Sequence, residues 1–171
     1  NNTAPGLVPQ IIAATPDEMR PLMELLANEG YSRVDINMGC SFPLQMRKKH
    51  GAGLLPYPAM VAELMKATAL YPGVEFSVKM RLGCESKEEW KALLPLLNDT
   101  PLVHITMHPR LGAEQYKQPA DIDAFGEFYA ASKHPVIYNG DILTLSDIRR
   151  IENDFPKLKG IMLGRGLLAN P

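Results

Sequence analysis

The sequence predicts an α/β fold, a (β/α)8 barrel of which the chain carries six units, two short of a closed one. Three observations predict it. Six short apolar segments recur at intervals of roughly 25 to 40 residues, the size of a βαβ unit. Helix start signals fill the gaps between them. Three of the six segments also alternate apolar with polar side chains, where a parallel sheet covered on both faces should read as nearly continuous apolar runs.

In chain order, "PQIIAA" around Ile11 is the first strand, and Thr15 with Glu18 forms a capping-box pattern that opens a helix with Pro16 at its first position. "RVDINMG" around Ile36 and "EFSVKMRL" around Val78 are the next two strands, and Ser86 with Glu89 is a second capping-box pattern. Pro21 and Pro95 fall inside two predicted helices and are expected to shorten or kink them. "LVHITMH" around Ile105, "PVIYNG" around Ile137 and "GIMLG" around Met162 complete the strands, with a helix from Thr144 through "SDIRRIENDF". Strict alternation of strand and helix implies a parallel sheet, either an open doubly wound sheet or a barrel. No low-complexity linker divides the chain, so residues 1–171 read as one domain.

Composition bounds the function. The 171 residues are 46% hydrophobic and 22% charged, enough to bury a core. A net charge of −1 gives no global pull toward polyanions, so any such contact falls to a local patch, and "RKKH" at Arg47 to His50 is the only dense one. Two cysteines, Cys40 and Cys84, do not make a disulfide framework and suggest a reducing compartment. With no signal peptide and no long apolar run, the chain reads as cytosolic. It begins without Met and stops at "LLANP", as a fragment would.

The polar faces carry the chemistry. Side chains alternate along a strand, so Val34, Ile36 and Met38 share one face while Asp35 and Asn37 share the other. In the same way Phe76, Val78 and Met80 oppose Ser77, Lys79 and Arg81, and Val103, Ile105 and Met107 oppose His104, Thr106 and His108. One face suits helix packing. The other holds groups that are costly to bury unless bonded, which fits a barrel interior lined for a polar ligand. A lone Asp or Asn in a strand is more often a satisfied core group, but three such strands point to a site. His104 and His108 lie about 13 Å apart on a strand, too far to share a metal. His104 reads as structural and His108, at the strand tip, as functional. His50 and His134 read as surface residues, and Cys84 as an inert thiol.

Barrels often bind phosphate with the loops after their last two strands, where glycines expose backbone N–H groups. "YNGDI" at Tyr138 to Ile142 and "LGRGLL" at Leu163 to Leu168 stand there, with Gly140, Gly164 and Gly166 allowing close approach and Arg165 offering a positive fork.

Taken together, "DINMGC", "SVKMRLG", "ITMHPR", "IYNGDI" and "IMLGRGLLANP" resemble, in order, the motifs of the tRNA-dihydrouridine synthase family, and the likeness runs from Gln10 to the end of the chain. The resemblance implies an FMN-dependent (β/α)8 barrel that reduces the C5=C6 bond of uridine in tRNA with NADPH as electron source, the two units missing from this chain being the first two, and a helical tRNA-binding domain beyond this chain. By motif match it implies Cys40 as general acid and Gln10 and Lys79 at the flavin ring. His108 would lie beside the cofactor, and Asn139, Gly140, Asp141, Gly164 and Arg165 would hold its phosphate. It places Asn37 near the uracil. Independently of the family, Arg47, Lys48 and Lys49 follow the cysteine loop and read either as contacts to RNA phosphates or as a solvated charged loop, Arg110 reads as a substrate contact, and no metal is expected. Two departures stand out. Ser41 and Phe42 intervene between Cys40 and Pro43 where the family has Pro next to the cysteine, and "HPR" replaces the family's "HGR" at His108 to Arg110.

The chemistry agrees independently. Reducing an enone-like uracil needs hydride at one carbon and a proton at its neighbour, and a thiol of ordinary acidity is still protonated at neutral pH. Two other readings fit parts of the pattern. An FMN barrel oxidoreductase acting on a small molecule would not need the basic "MRKKH" segment. A non-catalytic RNA- or phosphate-binding barrel would not need Cys40.

Overall fold

The computed structural model describes residues 6–169. Six strands form one sheet in the order in which they occur along the chain, every neighbouring pair parallel: β1 Gln10–Ile11, β2 Arg33–Met38, β3 Glu75–Gly83, β4 Leu102–Leu111, β5 Val136–Tyr138 and β6 Gly160–Ile161. A doubly wound sheet reverses its strand order at a switch point, whereas a barrel adds each strand beside the last. The consecutive order therefore decides for the barrel, of which these are six successive units. The helices are α1 Pro16–Asn28, α2 Pro43–Arg47, α3 Pro58–Thr68, α4 Glu89–Asn98, α5 Ile122–Ala131, α6 Leu145–Asp154 and α7 Arg165–Ala169, with a 3₁₀ turn at Gly51–Leu54. Asn170 and Pro171, the last residues of the fifth motif, lie outside the described residues.

The start signals act largely as read. The Thr15 hydroxyl accepts the Glu18 N–H, and Pro16 opens α1. Thr144 and Asp147 form a complete capping box on α6. The Ser86 pattern works otherwise: α4 starts at Glu89, whose carboxylate accepts the N–H groups of Cys84, Glu85 and Ser86 and so closes the preceding turn. Pro21 and Pro95 lie within α1 and α4, and both helices continue past them.

The apolar strand faces make the core. Val34, Ile36, Met38, Val78, Met80, Ile105 and Met107 are wholly buried, and they pack in one cluster with Met19, Met23, Leu64, Leu93, Leu97, Phe125 and Phe128 of the helices. Each such side chain contributes about 1.5–3 kcal/mol on burial, enough to fix the register. That register aligns the polar faces. Gln10 lies beside Asp35 and Asp35 beside Ser77; Asn37 lies beside Lys79 and Lys79 beside Thr106; Arg81 lies beside His108. No helix among the described residues is long and apolar enough to cross a membrane.

Candidate active site

The turn after β2 is built by Asn37. Its Oδ1 accepts the N–H groups of Gly39 (3.0 Å) and Cys40 (2.8 Å), and its Nδ2 donates to Gln10 Oε1 (2.6 Å). Gln10 in turn donates to Asp35, which also accepts the Ser77 hydroxyl. One side chain therefore carries the bend that puts Cys40 beyond the strand end, and the neighbouring row holds that side chain still. Cys40 is half-buried with a free thiol. It lines a cleft of about 420 Å³ together with Gln10, Asn37, Lys79 and His108.

Burial and the nearby Arg81 charge lower the Lys79 pKa, against the opposing pull of Asp35 and Cys40. Burial and the charges of Arg81, Lys79 and Arg110 push His108 down to about 3. It is neutral at physiological pH. Its Nε2 lies 2.9 Å from the Arg110 guanidinium, which can only donate, so the ring proton sits on Nδ1.

Beside this cleft lies a second, of about 250 Å³, lined by His108, Tyr116, Asn139, Gly140, Asp141, Gly164, Arg165 and Gly166 among others. His108 and Tyr116 border both clefts, which makes them one continuous channel. The Asn139 amide donates to the Met162 carbonyl and ties the two glycine loops together. A Cβ on Gly166 would lie 2.1 Å from the Ile142 carbonyl, so only glycine lets α7 close against that loop. A Cβ on Gly164 would meet open space. The N–H groups of Gly140, Asp141, Gly164, Arg165 and Gly166 make no hydrogen bond among the described residues.

Arg110 and Asp141 set the charge here. Arg110 is 3% exposed and grips Asp141 through two bonds of 2.6 and 2.5 Å. Burial would raise the Asp141 pKa, but the Arg110 hydrogen bonds, the Ala120 N–H and the Arg165 charge outweigh it and hold the carboxyl below its usual range. Arg165, 60% exposed, approaches Asp141 at 3.5 Å and lies over the Tyr116 ring at 4.1 Å.

Several placements correct the sequence expectations. Arg110, expected toward the RNA, is buried behind Asp141, because His108, Gln118 and Asp141 all take its donors. The basic segment does not border the thiol's cleft. Arg47 and Lys49 line a separate pocket of about 520 Å³ with Cys84 and Tyr57, while Lys48 caps the C-terminus of α2. Cys84 is therefore remote from the channel, and burial with Glu89 and Glu85 raises its pKa. His50 is no surface residue, since its ring bridges Gln45 and Glu18. His134 is likewise half-buried and donates to the Leu97 carbonyl. His104 is half-buried, with an Nδ1 that finds no partner among the described residues.

Two residues of the site have no role assigned from the sequence. Arg81, 2% exposed, donates to the carbonyls of Gly39, Leu111 and Gln115 and to the Ser41 hydroxyl. It latches the Cys40 loop to the loop after β4. Its one hint is a place two residues beyond Lys79 on the same strand face. Tyr116 stands where the clefts meet, 5.8 Å from the His108 ring, in a loop with no periodicity to mark it.

The comparisons with known proteins agree with this geometry. The chain matches the dihydrouridine synthase (Dus) family over residues 1–171. It belongs to that family. It is 31% identical over 170 residues to a probable tRNA-dihydrouridine synthase 2 of Bacillus subtilis, covering 96% of this chain and 52% of that protein. It is 31% identical over 166 residues to a probable tRNA-dihydrouridine synthase of Aquifex aeolicus, covering 95% of this chain and 52% of that protein. The chain thus spans about half the length of the curated relatives it matches. Among solved structures, a probable mandelate racemase from Alicyclobacillus acidocaldarius superposes with a TM-score of 0.62 at 13% identity, over 93% of this chain and 35% of the other, a likeness of fold alone. Dus enzymes are flavin-dependent oxidoreductases. The channel fits such a group: unbonded N–H donors, an exposed guanidinium and open space at Gly164 suit a phosphate, and the polar cleft beside them suits a ring rich in acceptors.

Proposed function

We propose that the whole protein is a tRNA-dihydrouridine synthase that reduces the C5=C6 bond of uridine in tRNA, with FMN as its flavin and NADPH as reductant. The observation that carries this reading is the single channel with a thiol at one end and a glycine-framed set of backbone donors at the other. Gly140, Asp141, Gly164 and Arg165 would hold the FMN phosphate, and Gln10, Lys79 and His108 would border the ring. Bound flavin supplies hydride to one carbon of the uracil.

The chain's own residues do the rest. Cys40 Sγ–H gives the proton to the neighbouring carbon, held in place because Asn37 accepts its N–H and Arg81 pins the residues on either side of it. Neutral His108 offers an Nδ1–H donor, and Lys79, whose ammonium makes no hydrogen bond to the described residues, is the cation available to negative charge in the cleft. Asn139 and Arg110 act as positioning residues, the first by joining the two glycine loops and the second by fixing Asp141.

Stopped-flow absorbance of the flavin in the two half-reactions tests this. In the whole protein, Cys40→Ala leaves NADPH-driven reduction near wild type and slows oxidation by tRNA by about 10²–10⁴-fold. Unchanged tRNA-dependent oxidation would remove Cys40 from the mechanism.

A further inference from the structure

The segment that carries Cys40 has two sides. Cys40, Ser41 and Phe42 line the channel, whereas Pro43, Met46 and Arg47 line the separate pocket of about 520 Å³, and the two spaces share no lining residue. The segment is also tied to the turn at Gly51 and Ala52. The Ala52 N–H donates to the Cys40 carbonyl at 2.9 Å, and a Cβ on Gly51 would lie 2.6 Å from that of Cys40. Anything held in the pocket is therefore held at a set distance from the thiol.

The pocket pairs an aromatic ring with cations. Tyr57 is 40% exposed, and Lys49 Nζ lies 4.2 Å from its ring centroid. Arg47 stands at the same wall. Of the two carboxylates present, that of Glu89 is occupied by three backbone N–H groups, which leaves Glu85 to oppose the two cations. A π-face beside a guanidinium and an ammonium is the chemistry that takes a base and its phosphate together.

We propose that this pocket binds a second, unpaired nucleotide of the RNA substrate, one that neighbours the reduced uridine, with its base against Tyr57 and its phosphate on Arg47 and Lys49. The proposal rests on the tRNA reading above. A dinucleotide reductant has the same base-and-phosphate chemistry, but it must deliver electrons inside the channel, and this pocket shares no lining residue with the cleft that holds the thiol. With the base so anchored, the target uridine is presented to Cys40 at a fixed spacing along the strand.

Fluorescence anisotropy of labelled tRNA on the whole protein, with bound flavin measured in the same samples, tests it. Tyr57→Ala weakens tRNA binding by about 10-fold or more at constant salt, and Tyr57→Phe restores it, while flavin content stays at the wild-type level. Arg47→Ala lowers the steepness of the salt dependence of affinity by about one contact. Ultraviolet cross-linking of wild-type protein to tRNA, mapped by mass spectrometry, places a nucleotide on Tyr57 even where a variant folds poorly. Wild-type tRNA affinity in Tyr57→Ala with no cross-link at Tyr57 overturns the pocket while leaving the tRNA reading intact. Slower NADPH-driven flavin reduction in Tyr57→Ala with unchanged tRNA affinity assigns the pocket to the reductant and overturns it too. A wild-type protein that neither binds tRNA nor reduces its uridine sinks the parent reading, and this inference with it.

Discussion

The two ends of the channel are built by different means. At the thiol end, side chains do the work: Asn37, Gln10, Asp35 and Ser77 form one hydrogen-bonded row, and Arg81 ties that loop to the next with four donors. At the glycine end, backbone does it, through loops kept close by Gly140, Gly166 and the Asn139 bridge. The difference teaches where each end is vulnerable. A side-chain network fails when a partner is deleted, whereas a backbone cradle fails when an atom is added.

The largest expected effect adds an atom at the glycine end. Gly166→Val drives carbon into the Ile142 carbonyl, displaces α7 and abolishes flavin retention in the whole protein, read as flavin-to-protein absorbance after gel filtration. Arg165→Ala, which only removes an exposed cation, weakens flavin binding by about 10-fold, or 1.4 kcal/mol. Equal losses from the two substitutions would break the comparison.

Next is deletion at the thiol end. Arg81→Leu leaves part-buried carbonyls without donors and lowers unfolding free energy by about 3 kcal/mol in urea titration, since each stranded polar group costs roughly 1–3 kcal/mol. The same variant slows tRNA-dependent flavin oxidation more than flavin reduction, because the loop carrying Cys40 loses its latch. A stable variant with both half-reactions intact would mean that Arg81 positions nothing.

The smaller of the two stability effects comes from pH. His108 has its folded pKa depressed to about 3, so between that value and its ordinary 6.5 the unfolded chain binds a proton that the folded one does not. Stability is full above pH 6.5 and falls as pH drops, by about 2 kcal/mol at pH 5, and half-buried His104, also lowered, adds in the same direction. Thermal melts at pH 7.5 and 5.0 read this, and His108→Gln flattens the difference. A melting temperature that rises at pH 5 would reverse the sign and refute the buried neutral imidazole.

Much of this molecule was decided locally and could be read locally. Alternation along β2, β3 and β4 set which face packs and which faces the interior, except before Ile105, where the register of β3 on β4 shifts and Leu102 rather than the expected Val103 is buried. Thr144, and Thr15 with Pro16, started their helices as read, because a cap involves groups within one turn. What tertiary structure alone decided is the partner of each long polar side chain. Arg81 reaches across 42 residues to Gly39, Arg110 crosses 31 to Asp141, and the basic segment turns to a pocket away from the thiol beside which it is written. An arginine or lysine head lies several bonds from its backbone, so the strand that carries it fixes its starting direction only. Where the head ends is settled by which buried carbonyl or carboxylate the fold brings within reach.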